Sequence, residues 1–297
     1  MTELKRTLTL RDLIFIVVGT VIGSGIFLTP GSVVRSAGSG GAALAVWAIG
    51  GVLSLLGALT FAELGASRPA SGGLYVYLKD AFGPLLAFLF GWTMFLVIGA
   101  GSLATLAAAF PRYVSVFIPL SGWSAKFVSI VMIALVAALN VRGTRQSADV
   151  QGVATMIKAG VIVLLSIVLI VASPERPPEP FWPESFSFSM LTGAITGMIG
   201  VLWAYEGWQY VTFSAGEAVD PQRTFGRGIV IGTLLLIGIY VIANIGYFSA
   251  LGVSGVAGSQ RVASDAASAV IGPWAAMVLA GVILVSIFSA SNGLTLT

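Results

Sequence analysis

Eight nearly uninterrupted apolar runs, at about 12–34, 42–66, 82–110, 126–141, 152–172, 190–213, 228–251 and 269–290, take up most of the 297 residues. Each is near the roughly 20 residues that a helix needs to cross a bilayer. The third is long enough to tilt and the fourth is short. In hydrocarbon a chain must satisfy its own backbone, which leaves helices and closed barrels, and the short alternating segments of a barrel are absent. Charged residues make up 9% of the chain, against about 25% in a soluble domain. The expected fold class is therefore an all-α polytopic membrane protein. The sequence has no Cys and no His. That removes disulfides, thiolate metal sites and the commonest general base, leaving a membrane enzyme without a visible nucleophile–base pair. No continuous polar lining marks a channel. Nothing calls for a cofactor.

Loop charges orient the spans. With the N-terminus on the cytoplasmic side, the inner segments hold Lys5, Arg6, Arg11, Arg68, Lys79, Arg142, Arg145, Arg223 and Arg227, and the outer ones Arg35, Arg112, Lys126, Arg176 and Arg261. That bias favours both ends inside. It also accounts for the net charge of +3 with no nucleic-acid partner. Met1 to Leu10 is polar and basic and precedes a full-length apolar run, so no cleavable signal is expected. The expected location is the cell inner (plasma) membrane, multi-pass, with the lipid bilayer as the surrounding partner.

The first span contains Gly19-Thr20-Val21-Ile22-Gly23-Ser24-Gly25-Ile26-Phe27. Each Gly costs a helix about 1 kcal/mol relative to Ala, and an unpaired backbone group in hydrocarbon costs several more. A helix opened at this depth is tolerated where it lines a cavity. There the freed N–H groups can hold an anion and the freed carbonyls a cation. Close helix packing through small residues is the competing reading. Span 6 carries Trp203-Ala204-Tyr205-Glu206-Gly207-Trp208-Gln209, a carboxylate beside Gly amid aromatics, and is also a poor membrane helix. Between them, Ser173 to Pro180 forms a Pro-rich connector, a stiff joint. Two interrupted spans at corresponding places in two halves point to a transporter site between inverted repeats.

These residues resemble the amino acid–polyamine–organocation (APC) superfamily of permeases, closest to bacterial members of its L-type branch. Gly23 to Phe27 resembles the family's broken first helix. Ala62 to Leu78 resembles its loop between helices 2 and 3, and Asn140-Val141-Arg142-Gly143 with Val150-Gln151 and Lys158 its helix 4–5 junction. Trp203 to Trp208, Glu217 with Asp220-Pro221-Gln222-Arg223, Gly272-Pro273-Trp274 and Ser291-Asn292-Gly293 resemble its helix 6 break, the exit from that helix and the ends of helix 8. The resemblance implies a LeuT-like inverted-repeat fold. Residues 1–172 would form the first repeat with helices 1–5, 173–189 an extracellular connector, and 190–297 a second repeat holding only helices 6–8. It therefore implies a chain truncated at its C-terminal side.

The function it implies is secondary transport of amino acids by alternating access, as an exchanger or coupled to H+. A non-transporting fragment of such a permease is the alternative. By the resemblance, the backbone of Gly23, Ser24, Gly25 and Ile26 with the Ser24 hydroxyl takes the substrate α-carboxylate. Carbonyls around Trp203, Tyr205 and Gly207 take its α-amino group, the Trp203 ring closes the outer side, and Thr20 bears on side-chain selectivity. Lys158 lies about six residues into span 5, roughly 9 Å deep, where its stem can snorkel. The family reading instead puts its ammonium on the Gly19 to Gly23 carbonyls, either as a fixed charge or to release a proton. Glu206 is either a neutral hydrogen-bonded acid, a proton carrier or a contact for a cationic substrate. Glu63, Arg68, Glu217, Asp220 and Arg223 are solvated helix ends or an inner charge network. Ser286, Ser289, Ser291 and Asn292 read as helix-packing groups.

Overall fold

A computed structural model describes residues 6–70, 72–141, 143–174, 179–183, 185 and 187–296, with the side chains of 144 and 145 excluded. Lys5, Arg142, Arg176 and the middle of the Pro-rich connector (175–178) lie outside the described residues. Twelve α-helices carry the described chain: α1 Leu10–Val21, α2 Gly25–Ala37, α3 Gly40–Ser67, α4 Gly73–Phe82, α5 Pro84–Thr93, α6 Ala100–Val114, α7 Trp123–Val141, α8 Thr144–Ala172, α9 Phe188–Tyr205, α10 Pro221–Gly258, α11 Val262–Val270 and α12 Trp274–Leu296. A π-turn, Met94–Gly99, joins α5 to α6, and a 3₁₀ segment, Trp208–Glu217, continues α9. Seven segments are long and apolar enough to cross a membrane, and the bent pair α1–α2 makes an eighth.

The span boundaries follow local chemistry. A capping box starts α1: the Asp12 amide donates to Thr9 Oγ1, and the Thr9 amide to Asp12 Oδ2 at 2.8 Å, which satisfies two orphan donors. Gly252 at φ +69° breaks α10, so the seventh apolar run stops at 251 although the helix resumes. Gly272 at φ +113°, followed by Pro273, moves the start of α12 to Trp274, later than the sequence reading placed it. The short helices α4 and α11 fall where no apolar run marks them.

The spans divide into an inner and an outer set. α10 packs along α3, α8 and α1, α9 lies on α2 and α3, and α12 on α8, α6 and α1. In contrast, only 6% of the apolar window of Pro84–Val114 is buried, and Phe95 is 77% exposed. This outward face is apolar and uncovered by the other described helices.

Below the break in span 1, a fully polar cluster ties three helices. Asn292 Oδ1 accepts from Asn140 Nδ2 and Ser147 Oγ, both at 3.0 Å. Asn292 Nδ2 donates to Ser147 O at 3.2 Å and Gln151 Oε1 at 3.3 Å. Ser289 donates to Gln151 Oε1 as well, at 3.2 Å. Asn292→Ala strips buried partners from α7, α8 and α12 at once. At about 1–3 kcal/mol per group left unpaired, the thermal unfolding midpoint of the detergent-purified variant should fall well below that of an exposed control such as Leu85→Ala.

Candidate functional site

The first break is built as the glycines suggest. Helix α1 ends at Val21, and Ile22 leaves helical geometry at ψ +86°. The Gly23 amide turns back to Val21 O at 2.7 Å, and α2 starts at Gly25 bent by 50°. The Ser24 side chain makes no cap on α2. Among the described residues no backbone carbonyl accepts from the amides of Ser24, Gly25 or Ile26. They are the orphan donors of a helix N-terminus, where the helix dipole favours negative charge. Gly25 is obligatory on packing grounds. A Cβ there would lie 2.9 Å from Ala204 Cβ and 3.0 Å from Ala204 Cα, which seats α2 directly on the end of α9.

The carbonyl side of the same break is occupied. Lys158 is fully buried, and its Nζ donates to Gly19 O and Ile22 O, both at 2.6 Å. Ser286 Oγ donates to Ile22 O at 2.9 Å and lies 3.1 Å from Gly23 O. The sequence favours helix packing over ion binding for Ser286, and in the structure its hydroxyl also meets the opened backbone. The approach of α8 depends on Gly19, because a Cβ there would fall 2.2 Å from Gln151 Nε2 and 2.3 Å from Thr155 Oγ1.

The second break faces the first. Glu206 is extended, at ψ +142°, and Gly207 has φ +125°, a region that favours Gly. Thr20 Oγ1 lies 3.1 Å from Gly207 O and 2.8 Å from Ile16 O, linking the two breaks. Tyr240 OH reaches Ala204 O at 3.1 Å and Val21 O at 3.3 Å. Glu206 Oε1 accepts from Tyr210 OH and Gln209 Nε2, each at 2.7 Å.

Between the breaks lies a cavity of about 300 Å³ lined by Thr20, Gly23, Ser24, Gly25, Trp203 and Glu206. Trp203 stands at its edge, 52% exposed. The other expected residues sit behind the wall. Ile26 is fully buried. The Tyr205 ring turns away to pack on Trp47 and Tyr240, with centroids at 5.9 and 4.9 Å. Gly207 backs onto Thr20, and Lys158 bonds the break without lining the cavity. Sequence reasoning missed the opposite wall, where Ser102 and Thr105 of α6 and Tyr210 face the same space. A signal is present in Gly101-Ser102 and Thr105, a small polar patch within five residues of span 3. At the other end of the breaks, the Thr7 and Leu8 amides donate to Glu217 O at 2.9 Å and the Val219 amide to Leu8 O at 2.8 Å. Arg68 pairs with Asp80 at 2.5 Å, and Arg223 with Asp220 at 3.9 Å. These are exposed pairs, of small energetic weight.

A family model described as "Amino acid permease" matches residues 8–297. The b(0,+)-type amino acid transporter 1 of Mus musculus is 35% identical over 302 residues, covering 100% of this chain and 62% of its own length. The cystine/glutamate transporter of Homo sapiens is 33% identical, covering 98% of this chain and 59% of its own. The serine/threonine exchanger SteT of Bacillus subtilis (strain 168) is 30% identical, covering 99% and 66%. The chain thus spans about three-fifths to two-thirds of the length of these relatives.

Proposed function

We propose, from the premise that this chain belongs to the amino acid permease family, that its cavity holds a free amino acid in transit. The observation that carries the reading is the pairing of two opened helices around one cavity. Unpaired amides of Ser24 to Ile26 lie on one side, and the Glu206–Gly207 break on the other. An α-carboxylate suits the amides, and an α-amino group suits backbone carbonyls around Trp203 and Tyr205, of which Trp203 O also accepts from the Glu206 amide at 3.3 Å. The Trp203 ring, at the cavity edge, serves as the outer gate. The transport cycle is alternating access between two inverted repeats, residues 1–172 and 190–297, joined by the connector 173–189. The N-terminus lies on the cytoplasmic side of the plasma membrane.

Lys158 supplies either a fixed charge for exchange or a proton for H+ coupling. Counterflow in proteoliposomes at several pH values separates the two, since exchange around a fixed charge leaves the rate independent of an imposed pH gradient. Glu206 faces the cavity with its carboxylate held by Tyr210 and Gln209, which supports a contact for a cationic substrate side chain. A hydrogen bond to a charged group contributes about 1.5–3 kcal/mol, or roughly ten- to a hundredfold in affinity. Glu206→Gln should therefore weaken binding of Arg and Lys by that factor and leave neutral amino acids within about twofold. Equal loss for all substrates would return Glu206 to a structural hydrogen bond.

The test of the whole reading is scintillation-proximity binding of a panel of radiolabelled amino acids, followed by counterflow. Binding that requires both a free α-carboxylate and a free α-amino group supports it, and no binding to any amino acid sinks it.

A further inference from the structure

A second cavity, of about 530 Å³, opens between α1, α8 and α10, with none of its lining residues shared with the site described above. Its walls include Phe15 and Val18 of α1, Gly160 and Leu164 of α8, and Leu235 and Ile239 of α10. Along α8 it runs from Thr155 to Ile167, a rise of roughly 18 Å, comparable to one leaflet of a hydrocarbon core of about 30 Å. Its lining is apolar apart from Thr155, whose hydroxyl donates to Phe15 O at 3.2 Å.

Two arginines lie at the N-terminal-side end of the elements that form this groove, Arg11 at the start of α1 and Arg227 near the start of α10. Arg11 lies over the Phe15 ring at 5.1 Å, and its Nη2 is 3.5 Å from Met156 Sδ, so it rests on two groove-lining residues. Arg227 begins the stripe 227, 231, 235, 239 on α10, whose last two members line the groove. Its neighbour Gly228 packs against Leu10 and Leu13 of α1. Both arginines are exposed, and among the described residues neither pairs with a carboxylate. Asp12, next to Arg11, turns its carboxylate back to Thr9, and Asp149 lies on the α8 face that carries Val153 and Ile157.

We infer that this groove binds an anionic phospholipid of the leaflet on the N-terminal side, with one acyl chain along α8 and the phosphate between Arg11 and Arg227. Apolar walls one leaflet deep select an acyl chain. Two unpaired cations at the headgroup level select negative charge over a zwitterion. The bound lipid would brace α1 just before its break, since Phe15 and Val18 lie within two turns of Ile22.

Native mass spectrometry of the detergent-purified chain, titrated with phosphatidylglycerol and phosphatidylcholine of matched acyl chains, tests this. Wild type should bind phosphatidylglycerol about twentyfold more tightly, from about fivefold per arginine. Arg11→Gln with Arg227→Gln should bring the ratio close to one. Gly160→Phe should remove both lipids, and since a Cβ at 160 meets nothing within 4 Å, the ring fills the groove without disturbing the helix packing. An unchanged circular dichroism spectrum and a single gel-filtration peak confirm that each variant is folded. Equal affinity for the two lipids in wild type overturns the headgroup assignment. Phosphatidylglycerol binding that survives Gly160→Phe places the lipid elsewhere and overturns the groove. A sterol that displaces phosphatidylglycerol equally from wild type and from the double arginine variant gives the groove to a neutral lipid.

Discussion

Gly25→Val is expected to abolish the proposed amino acid binding while the protein stays folded. The added Cβ would lie 2.9 Å from Ala204 Cβ and 3.0 Å from Ala204 Cα, one of them a backbone atom with little room to give. Relief comes only by sliding the start of α2 off the end of α9, which moves the amides of Ser24 to Ile26 with it. Ser24 and Gly25 line the cavity, and among the described residues no backbone carbonyl accepts from the amides of Ser24, Gly25 or Ile26. Each charge-assisted hydrogen bond to a carboxylate contributes about 1.5–3 kcal/mol, so misplacing two costs roughly a hundredfold or more in affinity. Overpacking of this kind also lowers stability by about 1–3 kcal/mol. The comparison must therefore be made at a temperature where circular dichroism shows the variant still helical. Gly23→Ala is the matched control, because a Cβ at 23 meets nothing nearer than 3.9 Å. It should bind within a few-fold of wild type. Normal binding by Gly25→Val would remove the amides from the site.

How much of this could be read from residues alone depended on whether the signal was local. Eight apolar runs became seven spans and a bent pair, because hydrophobic length is a property of each segment by itself. Both breaks were legible for the same reason, since Gly23, Gly25 and Gly207 declare backbone geometry in place. The polar floor was not legible. Hydropathy starts the fifth run at 152, yet α8 begins at Thr144, and Ser147, Gln151, Thr155 and Lys158 form one buried stripe along it. The spacing of four, four and three residues is visible in the sequence. What makes the stripe internal is a partner set on α12 and α1, far along the chain. The expectation at Tyr205 concerns its backbone carbonyl; the course of its ring was not legible, because one residue turns a helix by about 100° and carries the ring away from Glu206 to Trp47 and Tyr240. The far wall, Ser102 and Thr105, became apparent only once α6 was seen to face the breaks.

Lys158→Met should uncouple the break from α8, with a larger effect on transport than on folding. The substitution keeps most of the side-chain length and removes the ammonium. Two carbonyls lose their donor, but not equally. Ile22 O retains the Ser286 hydroxyl at 2.9 Å, whereas Gly19 O has no other hydrogen-bond donor among the described residues. The direct cost is then near that of one buried unsatisfied carbonyl, about 1–3 kcal/mol, and removal of a buried charge offsets part of it. Stability should drop modestly. On the proposed cycle, in which α1 moves between states, transport should fall much further, because among the described residues Lys158 is the only cationic side chain of α8 that bonds the opened backbone of α1. Loss of counterflow with substrate binding kept within about tenfold is the expected pattern. The double variant Lys158→Met, Ser286→Ala leaves Ile22 O with neither donor, so its stability loss should exceed the sum of the single losses by about 0.5–3 kcal/mol. Additive losses, or wild-type counterflow in Lys158→Met, would reduce Lys158 to a snorkelling side chain that happens to end beside α1.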